Sequence, residues 1–253
     1  TGQGDAGGVG RCTAQPFTGG GLPQAPGERA ARVPPGYNRA LCHAGDPMTD
    51  SHRGLLVVLE GIDGAGKSTQ IRRLQLLAQA LGFECVASRE PTYGQYGKRL
   101  RDSAASGRLS RHEEHQLLLL DRREHLETLV QPALARGAVV LLDRYYFSSI
   151  AYQAGPGLSA ERIRADNEAF APPPDLLLIL DLPVELGLAR IGARGDRPNA
   201  FEAVATLQHC REVYAGFAGE PYAKLIDASG DADGVTAQAS VALLRTLQAK
   251  RLL

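Results

Sequence analysis

The octapeptide Gly61-Ile62-Asp63-Gly64-Ala65-Gly66-Lys67-Ser68 constrains this chain more than any other stretch. It fits the pattern G-x-x-x-x-G-K-[ST]. Small residues let the backbone curl until several N–H groups point at one anion, and a helix opening near Lys67 adds its positive end. Lys67 can then reach the β- and γ-phosphates of a nucleotide, and the Ser68 hydroxyl can ligate Mg²⁺. Such a loop works only between a buried strand and a helix, and the sequence supplies both. Residues 55–59 are a short apolar run ending at Glu60. Residues 67–81 carry Ile71, Leu74, Leu77, Ala78 and Leu81 at helical spacing, and Gly82 stops them. ATP binding is therefore expected at Gly61, Ile62, Asp63, Gly64, Ala65, Gly66, Lys67, Ser68 and the adjoining Thr69.

The same alternation continues downstream. Apolar runs predict strands over 83–88, 138–143, 176–181 and, shorter, 224–227. Helices are predicted over 94–105, 112–135 (bent or ended near Pro132), 158–170, 184–191, 201–217 and 235–252. Strands alternating with helices imply a three-layer α/β fold: a five-stranded parallel sheet covered by helices on both faces. Residues 192–199 read as a polar loop carrying Arg194 and Arg197.

Residues 1–50 differ from the rest. They hold 11 Gly and 6 Pro with no apolar periodicity, too little to offset the entropy of ordering. They are expected to be disordered or a mis-assigned extension, with a translation start at Met48, the only Met. A weakly transit-like Arg pattern (Arg11, Arg29, Arg32, Arg39) is the rival reading. The compact domain is expected over 53–253. Net charge is zero, so nothing attracts the whole chain to nucleic acid or to an anionic membrane. No apolar run reaches the roughly 18–20 residues that span a bilayer. Cys12, Cys42, Cys85 and Cys210 suit neither a zinc site nor a disulfide framework, so reduced thiols in the cytoplasm are expected.

Asp143 closes the apolar strand 138–143, where an acid can hold Mg²⁺ directly or through water. Arg89, Arg101, Arg122, Arg144, Arg194 and Arg197 are candidates for neutralising phosphate charge, which guanidinium groups do in bidentate fashion. Arg89 and Arg144 directly follow apolar runs, and strand C-termini in an open parallel sheet form the ligand crevice.

Five pieces in one order resemble the thymidylate kinase family, over about residues 55 to 227. They are Leu59-Glu60-Gly61 through Ser68-Thr69-Gln70, then Arg89-Glu90-Pro91, Asp121-Arg122-Arg123-Glu124-His125, Asp143-Arg144-Tyr145, and Ser148-Ser149 to Ala151-Tyr152-Gln153. The resemblance implies Mg²⁺-dependent transfer of the ATP γ-phosphoryl group to dTMP, in a homodimer. It also implies roles. Asp63 would lie near the monophosphate and the sugar 3′-hydroxyl. Arg89, Glu90, Pro91 and Arg101 would line the acceptor site, with Arg89 and Arg144 on phosphates. Arg122 would meet the pyrimidine edge, Ser149 and Gln153 the base, and Tyr152 the sugar. Residues of about 192–200 would form a lid. Because Gly64 stands where some members carry a basic residue, Arg194 and Arg197, with Lys67 and Arg144, become the catalytic cations.

Leu118 stands where the family usually has a Phe that stacks on thymine. That substitution keeps other pyrimidine monophosphates (dUMP, UMP or CMP) open as acceptors, and Tyr93 or Tyr96 as substitutes for the ring. A nucleotide-dependent switch protein is the reading from another class, since fold alone never excludes it.

Overall fold

The computed structural model describes residues 54–106, 109–193 and 200–253. The expectations for residues 1–50, for Arg194 and Arg197, and for most of the polar loop lie outside them. Five strands form one parallel sheet: β1 (Leu55–Glu60), β2 (Cys85–Arg89), β3 (Val139–Asp143), β4 (Leu176–Asp181) and β5 (Ala223–Asp227). Their order across the sheet is β2-β3-β1-β4-β5. Every residue of β1 and β3 is buried, as is expected of central strands with both faces covered. The outer strands β2 and β5 are partly exposed, and their sequences carry polar residues accordingly.

The helices are α1 (Lys67–Ala80), α2 (Gln95–Ser106), α3 (Arg111–His125), α4 (Gln131–Ala135), α5 (Tyr146–Gln153), α6 (Ala160–Glu168), α7 (Val184–Gly192), α8 (Ala200–Gly216) and α9 (Ala232–Ala249). Helix α1 packs against α9, while α5 packs against α6 and α8. Helix α3 begins in a capping box: Ser110 accepts from the Glu113 N–H and Glu113 accepts from the Ser110 N–H.

The structure differs from the sequence expectation in two places. The helix expected over 112–135 passes through a π-turn at Leu126–Val130 before α4 resumes. Pro132 lacks the N–H that an unbroken α-helix would direct at the Thr128 carbonyl, and the wider turn accommodates that loss. Helix α5 was not anticipated. Six of its eight residues are buried, so it shows no one-sided apolar stripe to read.

Among the described residues, no helix is long and apolar enough to cross a membrane. Cys85 and Cys210 are free thiols, and burial pushes both up to about 11, where they are inert at neutral pH.

Candidate active site

The parallel register brings Leu59, Asp143 and Arg89 level at the C-terminal ends of β1, β3 and β2. The phosphate loop leaves β1 at this edge and α1 begins at Lys67, with Gly66 as its N-cap at φ 93. Gly64 sits at φ 84 with the backbone of Gly187 so close that a β-carbon would strike it. Gly187 in turn faces the Asp63 carbonyl and the Ile62 side chain, so the loop rests directly on α7.

Lys67 is buried, and its Nζ donates to the carbonyls of Gly61 at 2.9 Å and Ile62 at 3.1 Å. Burial, and then the nearby Arg144 charge, push its ammonium down from 10.5 to about 8. The Ser68 hydroxyl donates to Asp143 Oδ2 at 2.7 Å. Two hard oxygen donors therefore face each other, the chemistry that suits Mg²⁺. Beside the loop, a cavity of ≈ 340 Å³ is bounded by Gly66, Thr69, Arg190, Gly230, Asp231 and Val235. Arg190 shapes its far wall by donating to the carbonyls of Ala228 (2.9 Å), Ser229 (3.3 Å) and Gly230 (3.0 Å).

Arg144 stands between two groups of side chains. Its backbone has φ 72, a left-handed setting costly for a residue with a β-carbon, and its N–H is held by the Leu59 carbonyl at 3.0 Å. Its Nη2 meets Asp63 Oδ1 of the phosphate loop at 2.6 Å. Its guanidinium also lies 5.2 Å from the ring centre of Tyr152 on α5.

On the other side, α3 and α5 bring Arg122, Ser149 and Gln153 together. Arg122 is almost wholly buried, and all three of its guanidinium nitrogens are engaged. It donates from Nε to Glu90 Oε2 at 2.8 Å, from Nη1 to Asn167 Oδ1, and from Nη2 to Ser149 Oγ at 3.2 Å. Glu90 Oε1 meets His125 Nδ1 at 3.0 Å, and His125 Nε2 meets Ser88 Oγ at 2.8 Å. Glu90 therefore supports Arg122 from behind, with both carboxylate oxygens engaged. Among the described residues, nothing donates to the buried Gln153 Oε1. Asp121 fixes the segment after Pro91 by accepting from the Thr92 N–H at 2.8 Å and hydroxyl at 2.6 Å.

Tyr93 is 76% exposed, with the guanidinium groups of Arg101 at 4.9 Å and Arg89 at 5.9 Å from its ring centre. Arg101 also donates to the Pro91 carbonyl at 3.3 Å. Leu118 is half-buried on α3, one turn before Arg122. Sequence reasoning gave no role to Asn167, Tyr214 or Arg190. Only Asn167 left a signal, as a polar residue four places from Ile163 on the buried face of α6.

The parallel sheet, the glycine-rich loop opening α1 and the acid ending β3 define a P-loop nucleotide-binding α/β protein. A sequence model of the thymidylate kinase family matches residues 59–239. The chain belongs to the thymidylate kinase family. It is 53% identical over 194 residues to a thymidylate kinase of Xanthomonas oryzae pv. oryzae, covering 77% of this chain and 85% of the relative. A thymidylate kinase of Xanthomonas campestris pv. campestris gives the same identity and coverage. One from Akkermansia muciniphila is 51% identical over 196 residues, covering 78% of this chain and 94% of the relative.

Proposed function

We propose that this chain transfers the γ-phosphoryl group of ATP to dTMP, giving ADP and dTDP. The observation that carries this reading is the position of Arg144. One guanidinium touches the phosphate loop through Asp63 and the α5 side chains through Tyr152, so one cation serves two adjacent anionic substrates. A switch protein binding one nucleotide has no use for the second set.

In this reading the loop 61–68 and Thr69 hold the ATP phosphates, and the cavity beside Arg190 receives the adenosine. Lys67 moves from the loop carbonyls onto the β- and γ-phosphates. Ser68 and Asp143 would hold Mg²⁺, which when bound neutralises phosphate charge and fixes its geometry. Arg89, supported by Pro91, Tyr93 and Arg101, receives the monophosphate, and Asp63 lies near it and the 3′-hydroxyl. Tyr152 packs beside the sugar. Arg122 has only hydrogens to offer, so it favours a base with a carbonyl at position 4. Gln153 Oε1, buried and unpartnered among the described residues, is the acceptor this reading assigns to the ring N–H that thymine and uracil carry and cytosine lacks. Leu118 covers the base face.

The acceptor oxygen is already ionised at neutral pH, so attack on the γ-phosphorus needs no strong general base. Positioning and charge neutralisation carry the rate. Arg194 and Arg197, outside the described residues, are the remaining catalytic cations of this reading. A homodimer is part of it too, supported by the 42% exposure of Leu120 on α3.

The test is ADP release from ATP and Mg²⁺ with each nucleoside monophosphate in turn. Highest kcat/KM on dTMP supports the assignment. Preference for any other monophosphate, dUMP, UMP and CMP included, would overturn it.

A further inference from the structure

A chain of hydrogen bonds joins β1, α5 and α8 and ends on Arg144, in the segment between β3 and α5. It starts at Glu60, the fully buried last residue of β1. Glu60 Oε1 accepts the backbone N–H groups of Tyr145 at 2.8 Å and Ser148 at 3.1 Å, and Oε2 accepts the Ser148 hydroxyl at 2.7 Å. With its proton given to Glu60, the Ser148 oxygen can only accept. It accepts from Arg144 Nη1 at 2.9 Å and from the Tyr214 phenol at 2.9 Å. The phenol oxygen accepts in turn from Arg144 Nη1 at 3.2 Å. With Glu60 as the carboxylate each proton has one direction; burial pushes its carboxyl upward, while the Arg144 charge and the Ser148 and Tyr145 donors oppose that.

Tyr214 comes from α8, 70 residues along the chain from Arg144, and is 2% exposed. The two hydroxyls hold the Nη1 edge of the guanidinium. The Nη2 edge is left facing Asp63, whose side chain is 59% exposed. A long side chain on a left-handed backbone residue would otherwise sample several rotamers, and a catalytic cation that must first find its place loses rate.

We infer that Tyr214 and Glu60, acting through Ser148, are positioning residues that fix one edge of Arg144 and aim the other at the transferred phosphate. The inference rests on the kinase reading above. Tyr214 is 2% exposed, and its phenol is engaged by Arg144 and Ser148. Its effect on rate must therefore pass through the guanidinium.

A double-mutant cycle in the full chain tests this. Tyr214→Phe keeps the ring and the packing and removes only the hydroxyl. In the presence of Arg144 it is expected to lower kcat by about tenfold, with KM for ATP and the thermal midpoint nearly unchanged. In an Arg144→Ala background the same substitution is expected to cost nothing further. An equal loss in both backgrounds would overturn the inference, as would no loss in either. A second readout needs no substrate: the Arg144 Nε–H signal of ¹⁵N-labelled protein should be ordered in the wild type and mobile in Tyr214→Phe. Unchanged order would again reject the positioning role. A wild-type chain that phosphorylates no pyrimidine monophosphate, with Arg144 still loosened by Tyr214→Phe, would reject the kinase reading and leave the positioning intact.

Discussion

The Ser68 hydroxyl and the Asp143 carboxylate are joined at 2.7 Å across the gap between α1 and β3. In the proposed reading these two oxygens would hold Mg²⁺, which would neutralise phosphate charge there. Asp143→Asn should keep the fold and the hydrogen bond but lose the charge. We expect kcat to fall about a hundredfold and the Mg²⁺ concentration for half-maximal rate to rise, both read by titrating Mg²⁺ at saturating ATP. Unchanged Mg²⁺ dependence would remove Asp143 from the metal site.

Lys67 gives a pH-dependent signature. In the free protein its ammonium is held down at about 8 by burial and by Arg144. Phosphates alongside it favour the charged form, so ATP binding raises this value and takes up a proton above pH 8. ATP affinity should therefore weaken as pH rises through about 8, and calorimetry in buffers of different ionisation enthalpy should show proton uptake there. The stability effect has the opposite sign. Between about 8 and 10.5 the unfolded chain holds a proton that the folded chain has lost, so this group makes the ligand-free protein more stable as pH rises across that window. Lys67→Met should abolish both effects.

The Arg122–Glu90 pair is buried on both sides, with side chains 2% and 3% exposed. Removing one partner leaves an uncompensated charge. Glu90→Ala should cost about 3–5 kcal/mol in urea unfolding. A loss under 1 kcal/mol would mean that water or a neighbour replaces the carboxylate.

Acceptor choice should follow the base edge. Ranking kcat/KM should place dTMP first, dUMP next and dCMP far behind. Leu118→Phe should improve kcat/KM for dTMP by roughly two- to tenfold, the yield of an aromatic contact worth about 0.5–1.5 kcal/mol. No gain would show that the base does not lie over this position.

The five strands, the phosphate loop and Asp143 could be read from the sequence because each is a contiguous signal: an apolar run, a glycine spacing, an acid at a strand end. Arg122 was read from the residues only as a phosphate-neutralising candidate; its place at the base edge, like Ser149 and Gln153, came from the family resemblance, since α3 and α5 meet through folding and no spacing links residues 122 and 149. Tyr214 and Asn167 escaped for the same reason. Each supports an arginine 70 or 45 residues away, and the chain between them gives no hint of it. Helix α5 escaped for another reason. A helix buried nearly all round has no polar face, and periodicity needs a contrast between faces.

Gly64 and Gly187 meet backbone to backbone, with no room for a β-carbon on the loop side. No residue with a β-carbon can stand at 64 while α7 holds its place, because the Gly187 carbonyl already occupies that space. An arginine at 64 would first require α7 to withdraw, and an α7 that withdrew alone would open a void beneath Asp63 and Ile62. Since the obstruction is backbone, no exchange of side chain at 187 relieves it, and the phosphate loop and α7 can be redrawn only as one unit.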